Sequence, residues 1–464
     1  MQRRVLWVAI LASFVAFLDG AIVTVALPAM TRELGGGLTT AQWVVDAYLL
    51  SLGSLILIAG SLSDSFGRVR ILRAGLILFG VASLACAVAP DALTLIVARA
   101  VQGAGAALLV PSSLAMITAT FSGASQGKAI GSWTAWTGTA FLAGPLLGGL
   151  LVDYASWRLI FALNVIPIAG TLLLLKGLVM PAPEPEQAPA PVPNRVDLPG
   201  ALLASIGLAG TVFALIEQGR LGWGSPGVVV PFVLGIAALA AFIWWETRAP
   251  APMMPLGLFR KRNFGMGNVA TTFIYAGVSI GQLMVVLFLQ EVAGFTAAMA
   301  GVASVPTAVV MLVLSGSFGT LAGKYGPRFF MTVGPVVAGL GYLAMATTTE
   351  PFNFWLHILP GMLIYSLGLA ITVAPLTAAI LGAVPPSQSG IGSAINNAVS
   401  RVAGLIAVAL AGTLLGGILD FDSFRRIMLI TAAMFVVGGL ISAFGIVNPV
   451  DSGGKRPKVA PIDA

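Results

Sequence analysis

An all-α, polytopic membrane protein is the fold class that this sequence predicts. Three observations predict it: the near absence of charge, a succession of apolar segments of membrane-crossing length, and the placement of basic residues between them. Charged residues make up 9% of the 464 and hydrophobic residues 58%, with a mean hydropathy of +0.98. An ordinary soluble domain carries roughly 25% charge. A folded chain of this composition lacks the polar surface needed to face water, so lipid must surround most of it. The 56 glycines and 28 prolines fit the same reading. Small residues let membrane helices approach closely, and membrane helices tolerate proline.

About 20 apolar residues in helix cross about 30 Å of hydrocarbon. On that scale the sequence offers fourteen spans, at 5–28, 43–62, 71–90, 92–117, 129–152, 159–179, 199–217, 227–245, 265–290, 298–322, 329–348, 354–381, 391–419 and 426–447. The seventh and eighth have the faintest signal, and without them twelve remain. The run after Met1-Gln-Arg-Arg exceeds a signal-peptide core and is followed by many further spans, so it reads as the first helix.

Charge orients the chain. Of the 24 Lys and Arg residues, seventeen fall on one side of the proposed spans, five on the other, and Arg99 and Arg401 within spans. Cytoplasmic loops carry such an excess, so both termini are expected in the cytoplasm of a multi-pass cell-membrane protein. The net charge of +7 is dispersed and does not point to nucleic acid. Cys86 stands alone, so no intrachain disulfide is expected, and no Cys/His cluster offers a metal site. His357, the single histidine, reads as incidental.

A Pro-, Ala- and Glu-rich stretch after the sixth span divides the chain. The organisation expected is an N-terminal six-helix bundle (1–180), a cytoplasmic linker (181–196), an inserted hairpin (197–247), a C-terminal six-helix bundle (248–450) and a polar tail (451–464). An internal echo supports two parallel halves. Gly60-Ser-Leu-Ser-Asp-Ser-Phe-Gly67 after the second span is matched by Gly319-Thr-Leu-Ala-Gly-Lys-Tyr-Gly326 after the tenth. Leu146-Leu-Gly-Gly149 in the fifth span is matched by Leu414-Leu-Gly-Gly417 in the thirteenth. Parallel repeats about an axis along the membrane normal are a transporter plan.

Individual residues then carry chemistry. Gly60 and Gly67 bracket the loop that continues into Arg68 and Arg70. Gly67 permits a tight turn, and Asp64 can cap a helix and pair with either arginine. Asp19 is a carboxylate inside an apolar span, where ionisable groups face a cavity or a partner. There it can exchange its charge for a proton, or a fixed ion pair can hold it. Arg99, also within a span, keeps its charge and needs an acceptor. Gly144, Pro145, Gly148 and Gly149 put a bend and a smooth face on the fifth helix. Asp46 opens the second span after Gln42-Trp43-Val44-Val45. Asn396, Asn397 and Arg401 form a polar group on the thirteenth span, expected to face a central cavity. Gln290 and Glu291 close the ninth span. Trp133, Trp136 and Phe141 are candidates for an aromatic wall, although such residues often only pack.

The loop Gly60–Arg70 resembles the signature of the major facilitator superfamily. Leu95-Ile-Val-Ala-Arg99-Ala-Val-Gln102-Gly103-Ala-Gly105 is similar to its fourth-helix motif. Gly138-Thr-Ala-Phe-Leu-Ala-Gly144-Pro145-Leu-Leu-Gly148-Gly149 is similar to the fifth-helix motif of antiporters. Leu18-Asp19-Gly-Ala-Ile-Val-Thr-Val-Ala-Leu-Pro28, with Trp157-Arg158-Leu-Ile-Phe161 and Asn164, resembles the fourteen-span drug:proton antiporters of the QacA/EmrB type. Together they cover nearly the whole chain. The second-half loop departs from the signature, with Gly323 where the first half has Asp64, so any charge lock there is weaker.

The resemblance implies a major facilitator fold of two six-helix bundles plus the hairpin, and a proton-coupled exporter of small amphipathic or cationic compounds working by alternating access. Export of a lipid, peptide or endogenous metabolite is the alternative. It implies proton coupling at Asp19 and Arg99. It implies substrate contact at Asp19 and Asp46, to which the residue reading adds Asn396, Asn397, Gln290 and Glu291. Conformational roles fall to the loop and fifth-helix motifs. A proton gradient supplies the energy, since no GxxxxGK[ST] segment suggests a nucleotide and no cofactor is called for. An enzyme is not expected, because no catalytic cluster of His and acids gathers at one face. The expected partners are protons, a small-molecule substrate and the bilayer, with the monomer as working unit.

Overall fold

The computed structural model describes residues 1–121, 123–178, 197–385 and 388–448, without the side chains of residues 61, 64, 65, 123, 124 and 127. Fourteen helices among these residues are long and apolar enough to cross a membrane. They are α1 (Gln2–Leu34), α2 (Gly37–Phe66), α3 (Arg68–Ala87), α4 (Ala92–Thr120), α5 (Lys128–Tyr154), α6 (Arg158–Leu175), α7 (Leu198–Leu221), α8 (Pro226–Glu246), α9 (Arg262–Val292), α10 (Ala297–Tyr325), α11 (Pro327–Met345), α12 (Phe354–Gly382), α13 (Ser389–Ala409) and α14 (Phe421–Gly445). Each expected span overlaps one of them, the faint seventh and eighth included, but the thirteenth, expected to reach 419, ends at Ala409 and is followed by the separate short helix Ala411–Leu415. The linker and tail expected at 181–196 and 451–464 lie outside the described residues.

The breaks have local causes. α6 is interrupted at Asn164, α10 at Ser304 and α12 at Ile358, each within three residues before a proline: Pro167, Pro306 and Pro360. Proline removes a helix hydrogen bond and crowds the preceding turn. α2 ends at Gly67 (φ +93°) and α10 at Gly326 (φ +86°). Both turns need a backbone conformation that a Cβ disfavours, and they sit at matching positions of the loop repeat. The second echo diverges. Gly148 and Gly149 lie within helix, whereas Gly416 (φ +68°) and Gly417 (φ +146°) follow the short helix Ala411–Leu415 and end it. Identical tetrapeptides thus have different jobs, because a packing surface holds the first in helix and the second meets a loop.

In the first half α4 packs on α1, α2 and α3, and α1 also packs on α5 and α6. In the last six helices α9 packs on α13 and α14, and α11 on α12 and α14. The sets meet along α2 with α13 and along α5 with α10. The α7–α8 hairpin lies over the first of these seams. Leu208, Val212, Leu215 and Ile216 pack among Trp43 and Leu49 of α2 and Leu405 and Ala409 of α13. Trp43 Nε1 donates to Glu217 at 3.0 Å, and Gln218 hydrogen-bonds Thr413 of the last half. The hairpin therefore touches both halves.

The two ends of the molecule differ. The basic end carries Arg68, Arg70, Lys324 and Arg328; the opposite end carries Asp91 and Asp420. Toward the opposite end the halves are sealed. Gln42 donates to Val408 O and Ala409 O (2.7 and 2.9 Å), and Gln290 to Val25 O (3.0 Å). Asp153 at the end of α5 accepts from the Ala297 and Ala298 amides that begin α10 (3.1 and 2.8 Å). The α5–α10 contact is made mainly by Ala140–Tyr154; the preceding Gly123–Gly138 segment packs on α1 and α4 instead.

Candidate functional site

Glycine places the helices before any charge is satisfied. A Cβ on Gly103 would stand 2.2 Å from Tyr48 O, and one on Gly105 2.7 Å from Phe79 N. α4 therefore lies directly against α2 and α3, which carries Arg99 and Gln102 into the interior of the first half. On α5, Gly144 and Gly148 press on Ala21 and Ile22 of α1, while Gly149 presses on Ala297 O of α10. One helix motif thus supports both the packing within a half and the seal between halves.

At the meeting point lies a closed polar network. Asp19 is fully buried and Arg99 is 2% exposed. Arg99 Nη1 meets Asp19 Oδ2 at 2.5 Å and also donates to Gln102 Oε1 at 2.6 Å. The other carboxylate oxygen accepts from Gln102 Nε2 (2.8 Å) and Asn164 Nδ2 (2.9 Å). Gln102 further donates to Ser83 Oγ (2.8 Å), Arg99 Nε donates to Val44 O (3.0 Å), and the guanidinium stacks on the Tyr48 ring at 4.3 Å. Five helices contribute. A buried ion pair survives at membrane depth only when its remaining donors and acceptors are met in this way. Gln102 and Asn164 stand in the motifs but were not singled out by the sequence; Gln102 lies one helical turn beyond Arg99, on the same face.

The other candidates are dispersed. Asp46 is fully buried on α2, and neither oxygen has a hydrogen-bond partner. Asn396 does not stand free in the central space. It donates to Asn268 Oδ1 and Thr271 Oγ1 of α9 (3.1 and 3.0 Å), and Asn397 donates to Ser393 O of its own helix. Gln290 is spent on the seal, and Glu291 lies exposed in a cleft at the opposite end with Thr31, Leu38 and Leu415. Of the loop residues, Arg68 is half-buried and Arg70 exposed. A Cβ on Gly60 would meet nothing within 4 Å, and the Asp64 side chain lies outside the described residues. Among the aromatic candidates, Trp133 Nε1 donates to Ser13 Oγ (3.0 Å), Trp136 pairs with Trp7 (centroids 5.5 Å apart) and Phe141 with Phe17 (5.8 Å). No group of His, Cys, Asp and Glu among the described residues could hold a metal ion.

Two packed sets of six crossing helices, a hairpin of two more, and a buried ion pair inside the first set are the frame of a multi-pass membrane transporter. A family model described as the Major Facilitator Superfamily matches residues 9–408, and the chain belongs to that superfamily. It is 35% identical to the puromycin resistance protein Pur8 of Streptomyces alboniger, over 88% of this chain and 80% of the relative. It is 34% identical to the multidrug resistance protein Stp of Mycobacterium tuberculosis, over 87% of this chain and 74% of the relative. Its fold is similar to the inward-open xylose transporter XylE of E. coli, with a TM-score of 0.67 at 15% identity, covering 97% of this chain and 98% of that one. The expectation of a drug-efflux transporter of this superfamily holds.

Proposed function

We propose that the protein is a proton-coupled antiporter that exports small amphipathic or cationic compounds by alternating access. The observation that carries this reading is the closed Asp19–Arg99 pair at membrane depth. A proton on Asp19 would dissolve the ion pair and leave Arg99 seeking another acceptor, so proton binding and helix packing are linked through one contact. The seal at the opposite end, with the α5–α10 contact weighted toward that end, supports a form open toward the basic end. The excess of basic residues supports assigning that end and both termini to the cytoplasm, in the cell membrane. In this reading the halves 1–180 and 248–450 rock about the central space, the proton gradient is the only energy source, and the monomer suffices. The names of Pur8 and Stp support antibiotics as substrates. The test is dye accumulation in everted vesicles under an imposed pH gradient. Asp19→Asn should abolish it while leaving the amount of inserted protein unchanged, and undiminished accumulation would overturn the reading.

A further inference from the structure

α1 is surrounded. It packs on α2, α4, α5 and α6 of its own half and touches α9 and α10 of the other. The stripe it leaves at most half-buried, Trp7, Leu11, Phe14, Phe17, Gly20 and Thr24, recurs at helical spacing, although Trp7 and Phe17 also meet Trp136 and Phe141 of α5. At Phe17, where α13 of the other half comes close, the stripe borders the space between the halves. Into that space comes Arg401 from the middle of α13. Its Cβ lies 3.6 Å from the point a Cβ on Gly53 would occupy, so the arginine stem packs directly against α2 of the first half. Its Cζ stands 6.0 Å from the centroid of Phe17, on that half-buried stripe. Arg401 is partly exposed, and among the described residues it has neither a hydrogen bond nor an ion pair.

A guanidinium at mid-depth keeps its charge and requires an acceptor. The acids that could serve are closed to it. Asp19 is fully buried, with both oxygens held by Arg99, Gln102 and Asn164, and Asp46 is fully buried. Among the described residues, Arg401 is thus a cation within a span with no acid beside it. We infer that Arg401 is an anion-recognising group of the space between the halves, and that the compounds favoured there are amphipaths bearing a carboxylate or sulfonate. The aromatic stripe would hold the apolar body while the guanidinium forms a paired, charge-assisted hydrogen bond with the acid. This inference rests on reading the central space as the substrate site.

The test uses three naphthalene probes that share one ring system and carry a carboxylate, a carboxamide or a trimethylammonium group. Binding is measured on the purified full-length protein in detergent, and transport in proteoliposomes under a pH gradient. The wild type should bind the carboxylate at least about tenfold more tightly than the trimethylammonium probe, a factor set by one charged hydrogen-bonded contact. Arg401→Gln should erase that preference while changing carboxamide binding less than about twofold, and Arg401→Lys should restore part of it. Preference for the trimethylammonium probe in the wild type would overturn the assignment. So would equal weakening of all three probes by Arg401→Gln, which would make the arginine a structural clasp. Transport of the other two probes without the carboxylate leaves the export reading standing and removes this one. Binding without transport of any probe removes the coupled-export reading alone.

Discussion

Arg99 of α4 and Asp19 of α1 meet at 2.5 Å with both side chains withdrawn from the space between the halves. The contact joins residues 80 apart in sequence, and each charge is the main compensation for the other. Removing one partner of a buried pair costs about 3–5 kcal/mol, because the remaining charge is left without compensation. Arg99→Gln should therefore lower the stability of the detergent-purified protein by about that amount. The double variant Asp19→Asn with Arg99→Gln should regain most of it, since no buried charge remains, yet stay inactive in gradient-driven efflux. Unfolding followed by tryptophan fluorescence separates the two effects. Stability of Arg99→Gln equal to the wild type would remove the pair from the organisation of the half.

The seal at the opposite end depends on side chains that are missing. A Cβ on Gly301 would stand 2.2 Å from Pro145 O, and both flanking groups are backbone. Gly301→Val should force α5 and α10 apart at that end and slow efflux. Spin labels on the exposed positions Tyr154 and Met299, in a Cys86→Ser background, should report a longer distance than in the protein with Gly301. An unchanged distance distribution would show that the interface absorbs the side chain elsewhere.

Most of this architecture could be read from the chain. Apolar length located the helices, because lipid requires every backbone group to bond within its own helix. The loop repeat was confirmed by the matching backbone of Gly67 and Gly326. Asp19 and Arg99 announced themselves because charge at membrane depth needs a reason. Their mutual pairing was not legible: a helical period gives the face of a residue, but not which helix that face meets. Asn164 donates to an acid 145 residues earlier, and only the fold brings them together. The division of labour on α5 was within reach, since Gly144 and Gly148 are four apart and share a face while Gly149 is turned by about 100°. Arg401 was visible as an arginine within a span, whereas its lack of an acceptor is a property of its surroundings alone.

Asp420 shows how an acid at a helix start makes stability depend on pH. Its carboxylate accepts from Ser423 N at 2.8 Å while Ser423 Oγ accepts from Asp420 N at 2.8 Å, closing a capping box before α14. The Ser423 amide, then its hydroxyl, hold the carboxyl below the ordinary carboxylate range. A depressed value means the charged form is favoured in the fold. The charge-dependent stabilisation is then full above the unfolded value of about 3.9 and is lost as pH falls through the folded value. The melting-temperature difference between wild type and Asp420→Asn should be constant from neutral pH to about 5 and shrink below about 4. A difference that grows on acidification would contradict this sign.

Asp46 presents the opposite situation from Asp19. It is fully buried on the helix that meets α13, and neither oxygen finds a donor. Gln42, one turn earlier on α2, bonds across to Val408 O and Ala409 O, so the acid lies close to a seam that the proposed alternating access would open. A buried polar group without a partner costs about 1–3 kcal/mol, and an apolar group of similar shape removes that cost. Asp46→Leu should therefore stabilise the sealed arrangement and raise the melting temperature of the purified protein. The same change should slow efflux, because it strengthens a closure that must be released in every cycle. Stability and transport measured on one preparation decide the matter. A variant that is less stable than the wild type would mean that Asp46 is held by the fold and does not burden it, and a variant with faster efflux would separate the acid from the seam altogether.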